Sequence, residues 1–472
     1  MRIRIDNVTD DNIAPAHRVP RKELDDLRDR LLDVQNGFRA EAAAGPDTLI
    51  QNLRAWTKSH ARQEDVDRVI EVAALVRERA EAFVTVGIGG SDLVGRTVHA
   101  VLDSSQHNTL PREERGGAPE MYFCGDTFDP AELHDILHTL SVRGILLQTV
   151  FNVISKSGTT AETIAAFLII RQRLQEALAA AGRDPAEYAQ QVAVTTGLTK
   201  GSALFRLDQE QPQRFLALLP VPDGVGGRFS FGSPVGLLAL AVGTDERKCT
   251  VAERVSEAVR GMRDAESDAY LDPGDSRNLG FRLGSITYLS LHKGKSTLVF
   301  YPYAKVLRAV GDWYTQLLSE SIQERGGGQN IIATAGPTGN HSLLNGIING
   351  PRDKLLVFVR VVEHDPDKDI VVPREEILGP TLAALGGFHL GILQDISFEG
   401  TETDLLNNSV PTCTIEMPVV DTYHLFRLFY GLAVAVAVEG ELRELGRLTY
   451  EQSAVDGYKR EFKRIISLRS RE

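Results

Sequence analysis

Apolar and polar positions along the chain divide most of it into buried strands and amphipathic helices. The first 80 residues carry apolar side chains such as Leu24, Leu27 and Leu31 at helical spacing among many charged ones, which predicts a helical layer. Further on, apolar runs of strand length alternate with helical patterns, which predicts an α/β fold with parallel sheets flanked by helices. The predicted strands are 83–88, 121–124, 144–154, 192–196, 296–301, 354–362 and 412–417.

A glycine-rich segment divides this pattern into domains. A cluster of glycines at 223–230 predicts a boundary between two α/β domains. The expected division is a helical N-terminal layer at 1–80, a first domain at 81–230, a second domain at 231–420 and C-terminal helices at 421–472. The longest uninterrupted apolar stretch, 428–438, is too short to cross a bilayer core of roughly 30 Å and predicts a buried helix.

The connection at 155–160 consists almost entirely of hydrogen-bond donors. It follows an apolar run that ends at Ile154 and precedes a helical pattern from Glu162, so it joins a strand to a helix N-terminus. Such an N-terminus carries partial positive charge and unpaired N–H groups, which suits a phosphate dianion. The alternative is a capping box of Thr159 and Glu162, which leaves most of the donors unexplained. These donors are the hydroxyls of Ser155, Ser157, Thr159 and Thr160 and the ammonium of Lys156.

A second strand, glycine turn and helix unit occurs at 87–92. A dinucleotide-binding fingerprint would need a third glycine where Asp92 stands, and no acidic partner is clearly placed about twenty residues on, so the pattern does not favour nicotinamide binding. The adjacent Gly89 and Gly90 still let a backbone approach a ligand closely, and Ser91 offers a hydroxyl. We expect this turn and the 155–160 connection at the same edge of a parallel sheet.

Two further stretches carry candidate chemistry beside an ordinary alternative. Arg228 follows a run of glycines, which indicates either a common surface arginine or a guanidinium held in one direction. Steps of three and four residues put Trp313, Gln316 and Glu320 on one helix face. The alternative for that face is a solvated glutamate on a half-buried helix.

Composition limits the kinds of partner that the protein could bind and the cell compartment in which it could work. The formal net charge of -12 over 472 residues argues against general affinity for nucleic acid or anionic membrane. Cys124, Cys249 and Cys413 are widely separated, which fits a reducing compartment and neither a disulfide framework nor a zinc site. The first residues lack the apolar core of a signal peptide, so we expect a cytoplasmic location. The polar stretch 103–118 predicts a surface loop without chemistry.

Taken together, these stretches resemble the glucose-6-phosphate isomerase (phosphoglucose isomerase) family from about residue 80 to the end. The resemblance implies two sugar isomerase (SIS) domains, each a parallel sheet between helices, in a homodimer. It implies interconversion of glucose 6-phosphate and fructose 6-phosphate, in glycolysis and gluconeogenesis, through ring opening and an enediol, with no metal or other cofactor. The matching motifs, in the family's order, are 87–92, 155–163, 226–230, 313–321, 339–342 and 452–459.

The resemblance also implies a role for individual residues. Glu320 is similar to the base that moves a proton between C2 and C1, and Arg228 to the arginine that stabilises the enediolate. His341 and Lys459, each ordinary by itself, resemble the pair that assists ring opening, with the histidine supplied by the partner subunit. The implied substrate-binding residues are Gly90, Ser91, Ser155, Lys156, Ser157, Thr160, Gly227, Gln316 and Gln452.

Two other functions stay open on the sequence. The same fold could act on mannose 6-phosphate as well, or on an amino sugar phosphate, because pocket shape decides the stereochemistry at C2. A non-catalytic sugar-phosphate sensor would keep the phosphate loop but could lose Glu320, Arg228 and Lys459, all of which are present. Such a sensor would usually carry a basic DNA-binding segment, and the sequence shows none.

Overall fold

The structure, a computed structural model, describes residues 1–9, 13–375, 377 and 379–470 and is built on two sheets of five strands each. The first sheet has the order β3-β2-β4-β5-β6, and all its neighbouring strands are parallel. Its strands are β2 (Ala82–Val86), β3 (Glu120–Cys124), β4 (Thr149–Ile154), β5 (Val192–Thr196) and β6 (Ala217–Pro220), and the second sheet contains β1 (Arg2–Arg4), β7 (Thr297–Tyr303), β8 (Asn330–Ala333), β9 (Lys354–Val361) and β10 (Thr412–Met417).

The second sheet has the order β1-β10-β9-β7-β8, with only its N-terminal edge strand antiparallel. Arg2 pairs with Glu416, and Ile3 is buried against the core. The predicted helical layer over residues 1–80 therefore begins with a short strand that the sequence did not indicate. Three residues are too few for the apolar alternation of a strand to be recognised, and the partner strand lies about four hundred residues away in the sequence.

Helices cover both sheets and supply most of the core. Helix α17 has all of residues 428–438 buried, which confirms the prediction of a buried helix there. The helices are α1 (Asp6–Thr9), α2 (Arg21–Ala44), α3 (Pro46–Gln51), α4 (Gln63–Arg79), α5 (Gly90–Leu102), α6 (Pro130–Val142), α7 (Ala161–Ala180), α8 (Ala203–Glu210), α9 (Pro234–Val242), α10 (Val251–Ala269), α11 (Leu279–His292), α12 (Arg308–Ile322), α13 (Thr338–Ser342), α14 (Leu344–Ile348), α15 (Pro380–Ala383), α16 (Leu390–Asn407), α17 (Thr422–Leu442) and α18 (Ser453–Arg469).

The polar stretch 103–118 is more than a surface loop. His107 and Arg115 are buried, and Asn108 exchanges two hydrogen bonds with the backbone of Met121, both at 2.8 Å. The side-chain amide thus extends the hydrogen bonding of β3 at its first residues. Polar composition predicted exposure here, but these polar groups are buried because the fold gives them partners.

The domain boundaries drawn from the sequence stay predictions. Helix α9, which was assigned to the second domain, packs on α5 of the first, since a Cβ on Gly95 would lie 3.2 Å from the Cβ of Ala239. In the part of the chain that the structure describes, no helix is long and apolar enough to cross a membrane.

Candidate functional site

Glu320 lies in the last turn of α12, and three side chains donate hydrogen bonds to its carboxylate. Arg228 Nη1 and Gln452 Nε2 donate to Oε2 at 3.2 and 2.7 Å, and Gln316 Nε2 donates to Oε1 at 3.1 Å. The Glu320 side chain keeps 26% of its surface exposed, so the carboxylate is held in place while remaining open to a ligand. The shared helix face is confirmed, and the alternative of a freely solvated glutamate is wrong.

Arg228 is fully buried, so the surface-arginine alternative is also wrong. The glycine-rich segment before it leads into a short 3-10 helix, Gly227–Gly232, and the indole of Trp313 donates to the Arg228 carbonyl at 3.1 Å. Burial lowers the pKa of Arg228, and the nearby Glu320 carboxylate opposes that shift. An arginine stays protonated in proteins, so the site contains a fixed cation beside a carboxylate.

The guanidinium is held by four further acceptors. Its Nε donates to Ser321 Oγ at 2.7 Å, and its Nη2 donates to the backbone carbonyls of Glu320, Thr449 and Glu451 at 3.1, 2.8 and 3.2 Å. Nη1 donates only to Glu320 among the described residues, which leaves one of its two hydrogens for a ligand. The sequence analysis missed Ser321 and the two C-terminal carbonyls because every residue has a carbonyl and no pattern marks those that bind a distant arginine.

The glycine turn at 87–92 contacts this cluster directly. Gly89 has a φ of +59°, and a Cβ there would lie 2.8 Å from Gln316 Nε2. A Cβ on Gly90 would lie 2.0 Å from the carbonyl oxygen of Gly227, so only glycine allows the two backbones to meet. Ser91 follows in the first turn of α5 and is half-buried. The end of β2 is thereby joined to the Arg228 segment.

Asp92 is buried next to this turn. Burial raises its pKa to about 6, against the hydrogen bond that Arg96 donates to it at 2.8 Å. Its position at the first turn of α5 is the one that a dinucleotide fingerprint would give to glycine, and a buried carboxylate there is a poor neighbour for a pyrophosphate.

The donor-rich connection has the expected strand before it and the expected helix after it. Ser155 Oγ lies 2.9 Å from Thr160 Oγ1, and Ser157 Oγ lies 2.8 Å from Thr159 Oγ1. Helix α7 begins at Ala161 with Thr160 as its N-cap, and the Thr160 side chain makes no capping hydrogen bond. The capping-box alternative is therefore wrong, and the hydroxyls are paired with one another next to the start of the helix.

Lys156 joins this connection to the Arg228 segment. Its Nζ donates to the carbonyl of Val225 at 3.3 Å, three residues before Arg228. Burial lowers the pKa of Lys156, and the nearby carboxylate of Asp223 opposes that shift. The side chain as a whole is exposed, so its ammonium can reach a bound anion. The carboxyl ends of β2 and β4 thus both lead into contacts with residues 225–228.

His341 and Lys459, the two residues implied in ring opening, are both exposed. His341 lies on α13, and among the described residues no hydrogen bond joins its side chain to the carboxylate of Glu320. Lys459 lies on α18, whose Tyr458 hydroxyl donates to Glu162 of α7 at 3.3 Å, close to the start of that helix. Among the described residues, hydrogen bonds within one copy of the chain join the carboxylate of Glu320 to the arginine and the two glutamines, and His341 is not part of that network.

One group of side chains has the spacing of metal ligands among the described residues. His99, Asp103 and His107 offer ligand atoms within 4.8 Å of one another. Arg254 donates to Asp103 at 2.8 Å, and His107 Nε2 lies 2.9 Å from the carbonyl of Pro119, so hydrogen bonds already occupy part of the group. It lies at the far end of α5 from the glycine turn and does not contact Glu320.

Comparison with known proteins agrees with this arrangement. The model of the family described as phosphoglucose isomerase matches residues 69–322, more than half of the chain. A glucose-6-phosphate isomerase of Rubrobacter xylanophilus is 34% identical to the chain over 91% of its length and 95% of the relative's. The chain belongs to the phosphoglucose isomerase family. The matched range contains the glycine turn, the donor-rich connection, Arg228 and Glu320, whereas His341, Gln452 and Lys459 lie beyond it.

Solved structures share the fold of this phosphoglucose isomerase family member. A hypothetical protein of Thermus thermophilus superposes with a TM-score of 0.77 at 25% identity, covering 94% of this chain and 97% of its own. A glucose-6-phosphate isomerase of Chlamydia trachomatis superposes with a TM-score of 0.70 at 19% identity, covering 93% and 86%. The predicted α/β fold, with parallel sheets flanked by helices, is confirmed.

Proposed function

We propose that this protein is an isomerase that interconverts D-glucose 6-phosphate and D-fructose 6-phosphate. The single observation that carries the proposal is the Glu320 carboxylate, held by Arg228, Gln316 and Gln452 and still partly exposed. Moving a proton between two adjacent carbons needs one group that takes the proton and returns it, and a positioned carboxylate suits that task. In this proposal Glu320 removes the proton from C2 and delivers it to C1.

Arg228 stabilises the negative charge that develops on the enediolate oxygen. A buried cation that is already hydrogen-bonded needs no reorganisation when that charge appears, and such preorganised stabilisation is often the largest contribution to catalysis. The free Nη1 hydrogen of Arg228, next to the Glu320 carboxylate, supports this role. Gln316 and Gln452 orient the carboxylate and contact the sugar hydroxyls.

The phosphate group binds at the donor-rich connection. Paired hydroxyls next to a helix N-terminus, with an ammonium beside them, suit a dianion. The proposed ligands are Ser155, Lys156, Ser157 and Thr160, with Ser91, Gly90 and Gly227 lining the path to Arg228. Binding the phosphate at a distance from the reacting carbons holds C1 and C2 within reach of the base.

His341 and Lys459 open the sugar ring, with His341 supplied by a second copy of the chain. Among the described residues of one chain no hydrogen bond joins His341 to Glu320, which supports this part of the proposal, as does an exposed apolar patch near α13. In the patch, the segments at 370–372 and 387–390 pair through the bridge of Val371 with His389. The patch consists of Ile370, Val371, Leu385, Phe388, Leu390, Ile392 and Ile396, each at least 38% exposed.

The patch adjoins the histidine through α16. Gln394 Nε2 donates to the carbonyl of Gly336, just before α13, and Asn340 of α13 donates to Thr401 Oγ1 of α16 at 2.8 Å. Exposed apolar patches of this kind mark protein interfaces. A second copy that covered the patch would bring its own α13 to the interface, which supports a homodimer with two shared sites.

The same proposal includes a cytoplasmic location and the four-part division of the chain given by the sequence. Cys124, Cys249 and Cys413 are all free thiols, and two of them are buried, which supports a reducing compartment.

The first test is conversion of fructose 6-phosphate to glucose 6-phosphate by the purified protein in the presence of EDTA, coupled to a dehydrogenase specific for the product. Turnover in the presence of chelator is the expected result. Tight binding of fructose 6-phosphate without turnover would contradict the proposal and favour a sensor. The same assay with mannose 6-phosphate, coupled through fructose 6-phosphate, tests the epimer specificity.

Mixing two inactive variants tests whether the site is shared between subunits. Glu320→Gln and His341→Ala are each expected to be inactive. After the two are refolded together in equal amounts, about half the dimers are mixed and each has one intact site of two, so about a quarter of the wild-type activity should return. No recovery, with mixed dimers demonstrated by mass spectrometry, would contradict the sharing of His341 and leave the assignment of Glu320 intact.

A further inference from the structure

The segment at 449–452, between α17 and α18, holds both charged groups of the candidate site. The carbonyls of Thr449 and Glu451 accept hydrogen bonds from Arg228 Nη2 at 2.8 and 3.2 Å. Gln452 Nε2 donates to the Glu320 carboxylate at 2.7 Å. The position of this short connection therefore decides where the guanidinium and the carboxylate lie.

Tyr450 is the residue of this segment whose side chain is anchored elsewhere. Its ring is buried, with its centroid 5.5 Å from that of Phe229, the residue after Arg228. Arg54 lies over the ring with its Cζ 5.3 Å from the centroid, and Trp56 stacks on Phe229 at 5.0 Å. Two residues of the N-terminal segment thus contact the rings that adjoin Arg228 and its carbonyl partners.

Arg54 is itself fixed. Its Nη1 donates to Glu41 at 2.9 Å, its Nη2 pairs with Glu441 of α17, and its Cζ lies 4.7 Å from the ring centroid of Phe38. Burial of the guanidinium between rings and carboxylates strengthens its attraction to the face of Tyr450, because little water competes. We name Arg54, Trp56, Phe229 and Tyr450 the aromatic anchor.

The Tyr450 hydroxyl is buried next to the guanidinium of Arg54. No hydrogen bond of standard geometry reaches it among the described residues, and the neighbouring Arg54 opposes the rise in the pKa of Tyr450, to about 12, that burial causes. A small cavity of about 30 Å³ lies beside the anchor, lined by Tyr450, Arg54, Trp56 and Val434 among others, and it has room for one or two water molecules. The ring of Tyr450 contacts Phe229 and Arg54, and these are the contacts that the proposal uses.

We propose that Tyr450, held by Arg54, is a positioning residue for the isomerisation. The ring fixes the carbonyls of Thr449 and Glu451 against Arg228 and thereby sets the guanidinium next to Glu320. The inference rests on the proposed function, because it takes Arg228 to be the group that faces the developing charge. By this inference Arg54, in the N-terminal segment outside the range matched by the family model, helps to position the catalytic groups.

The test compares Tyr450→Leu with Tyr450→Phe and with a control that lines the same cavity, Val434→Ala. Displacement of catalytic groups by about 1 Å can cost on the order of 10²-fold in rate, so we expect kcat of Tyr450→Leu to fall by about 100-fold with KM within about threefold. Tyr450→Phe keeps the ring and should restore kcat to within about threefold of wild type. Val434→Ala should lose thermal stability but keep kcat.

Equal losses of kcat in Tyr450→Leu and Val434→Ala, following their losses of stability, would overturn the proposal. So would a Tyr450→Phe variant as impaired as Tyr450→Leu, because the hydroxyl and not the ring would then be needed. If Tyr450→Leu does not fold, the test uses Arg54→Gln, because this substitution removes the cation over the Tyr450 ring with a smaller change of side-chain volume. An unchanged kcat in Arg54→Gln would also contradict the proposal.

A second readout does not depend on activity. The chain has two tryptophans, and the indole of Trp313 donates to the Arg228 carbonyl. In spectra of 15N-labelled indole groups, Tyr450→Leu should shift the Trp313 signal and speed its hydrogen exchange, while Val434→Ala should not. An unchanged Trp313 signal in Tyr450→Leu would overturn the positioning role, even if the wild-type protein showed no isomerase activity. Failure of this inference is therefore distinguishable from failure of the proposed function.

Discussion

Glu439 is a buried carboxyl group in the middle of α17, and it makes the stability of the protein depend on pH. Its side chain is 1% exposed, and one of its oxygens has no partner among the described residues. Burial raises its pKa from the ordinary value of 4.5 to about 7, while the nearby Thr287 hydroxyl and the charge of Arg443 oppose the shift. The folded protein therefore holds this proton more tightly than the unfolded chain does.

The sign and size of the effect follow from the two pKa values. Below pH 4.5 both states are protonated and the full stability is present. As the pH rises towards 7, the unfolded chain ionises first, so the free energy of unfolding falls, and above pH 7 the loss is complete. With about 1.36 kcal/mol per pKa unit, the loss between pH 5 and pH 8 is about 2.5 kcal/mol.

Glu439→Gln should remove this loss, because the amide does not ionise. The entropy of unfolding of 472 residues is about 1 kcal/mol/K, so about 2.5 kcal/mol corresponds to a shift of about 2.5 °C in the midpoint if the chain unfolds as one unit. Relative to wild type, the variant should therefore gain about 2.5 °C between pH 5 and pH 8 in calorimetric scans.

The matched control is Glu78→Gln, which changes an exposed glutamate on α4. Its midpoint should differ from that of wild type by the same amount at both pH values. If the difference between Glu439→Gln and wild type were also independent of pH, the carboxyl group would not be buried and protonated as described, and the reasoning would be refuted.

Three further predictions concern the site and the assembly. Glu320→Gln should lower kcat by about 10²–10⁴-fold while fructose 6-phosphate binding, measured by calorimetry, stays near wild type, because the shape is kept and the base is lost. Ser155→Ala combined with Thr160→Ala should raise KM by about 10²–10⁴-fold, and more than it lowers kcat, because two hydrogen bonds to a dianion are removed. Ile392→Glu should give a monomer in analytical ultracentrifugation, because it puts a charge into the apolar patch.

Each of these three predictions has its own control variant or its own result that would contradict it. Near-native turnover of Glu320→Gln would exclude it as the base. Ser141→Ala, which removes a hydroxyl that donates within α6, should leave KM unchanged; an unchanged KM in the Ser155 and Thr160 double variant would count against the phosphate site. Leu168→Glu places the same charge on an exposed apolar position of α7 and should not alter the assembly; a dimeric Ile392→Glu would contradict the patch as the interface.

The sequence by itself determined which segments are buried and where donors cluster. Apolar runs predicted β5 and β10 with the bounds that the structure has, whereas the run 144–154 predicted β4 to start five residues too early, because Leu146–Gln148 forms a 3-10 helix. The helical spacing of Trp313, Gln316 and Glu320 correctly put them on one face. These features are local: a strand or a helix face is defined by residues a few positions apart, so periodicity records it. The donor-rich connection was visible for the same reason, because all of its donors lie within six residues.

Only the tertiary structure decided what those segments contact. The pairing of β1 with β10 joins positions that are far apart in the sequence. The carbonyls of Thr449 and Glu451 that bind Arg228 are also distant from it, and they are backbone groups that every residue has. The burial of polar residues in 103–118 likewise depends on partners that the fold supplies. Periodicity indicates which side chains are buried, but it does not indicate which residues they pack against. The surroundings of Arg228 and Glu320 are therefore set by packing between distant elements, which no local pattern encodes.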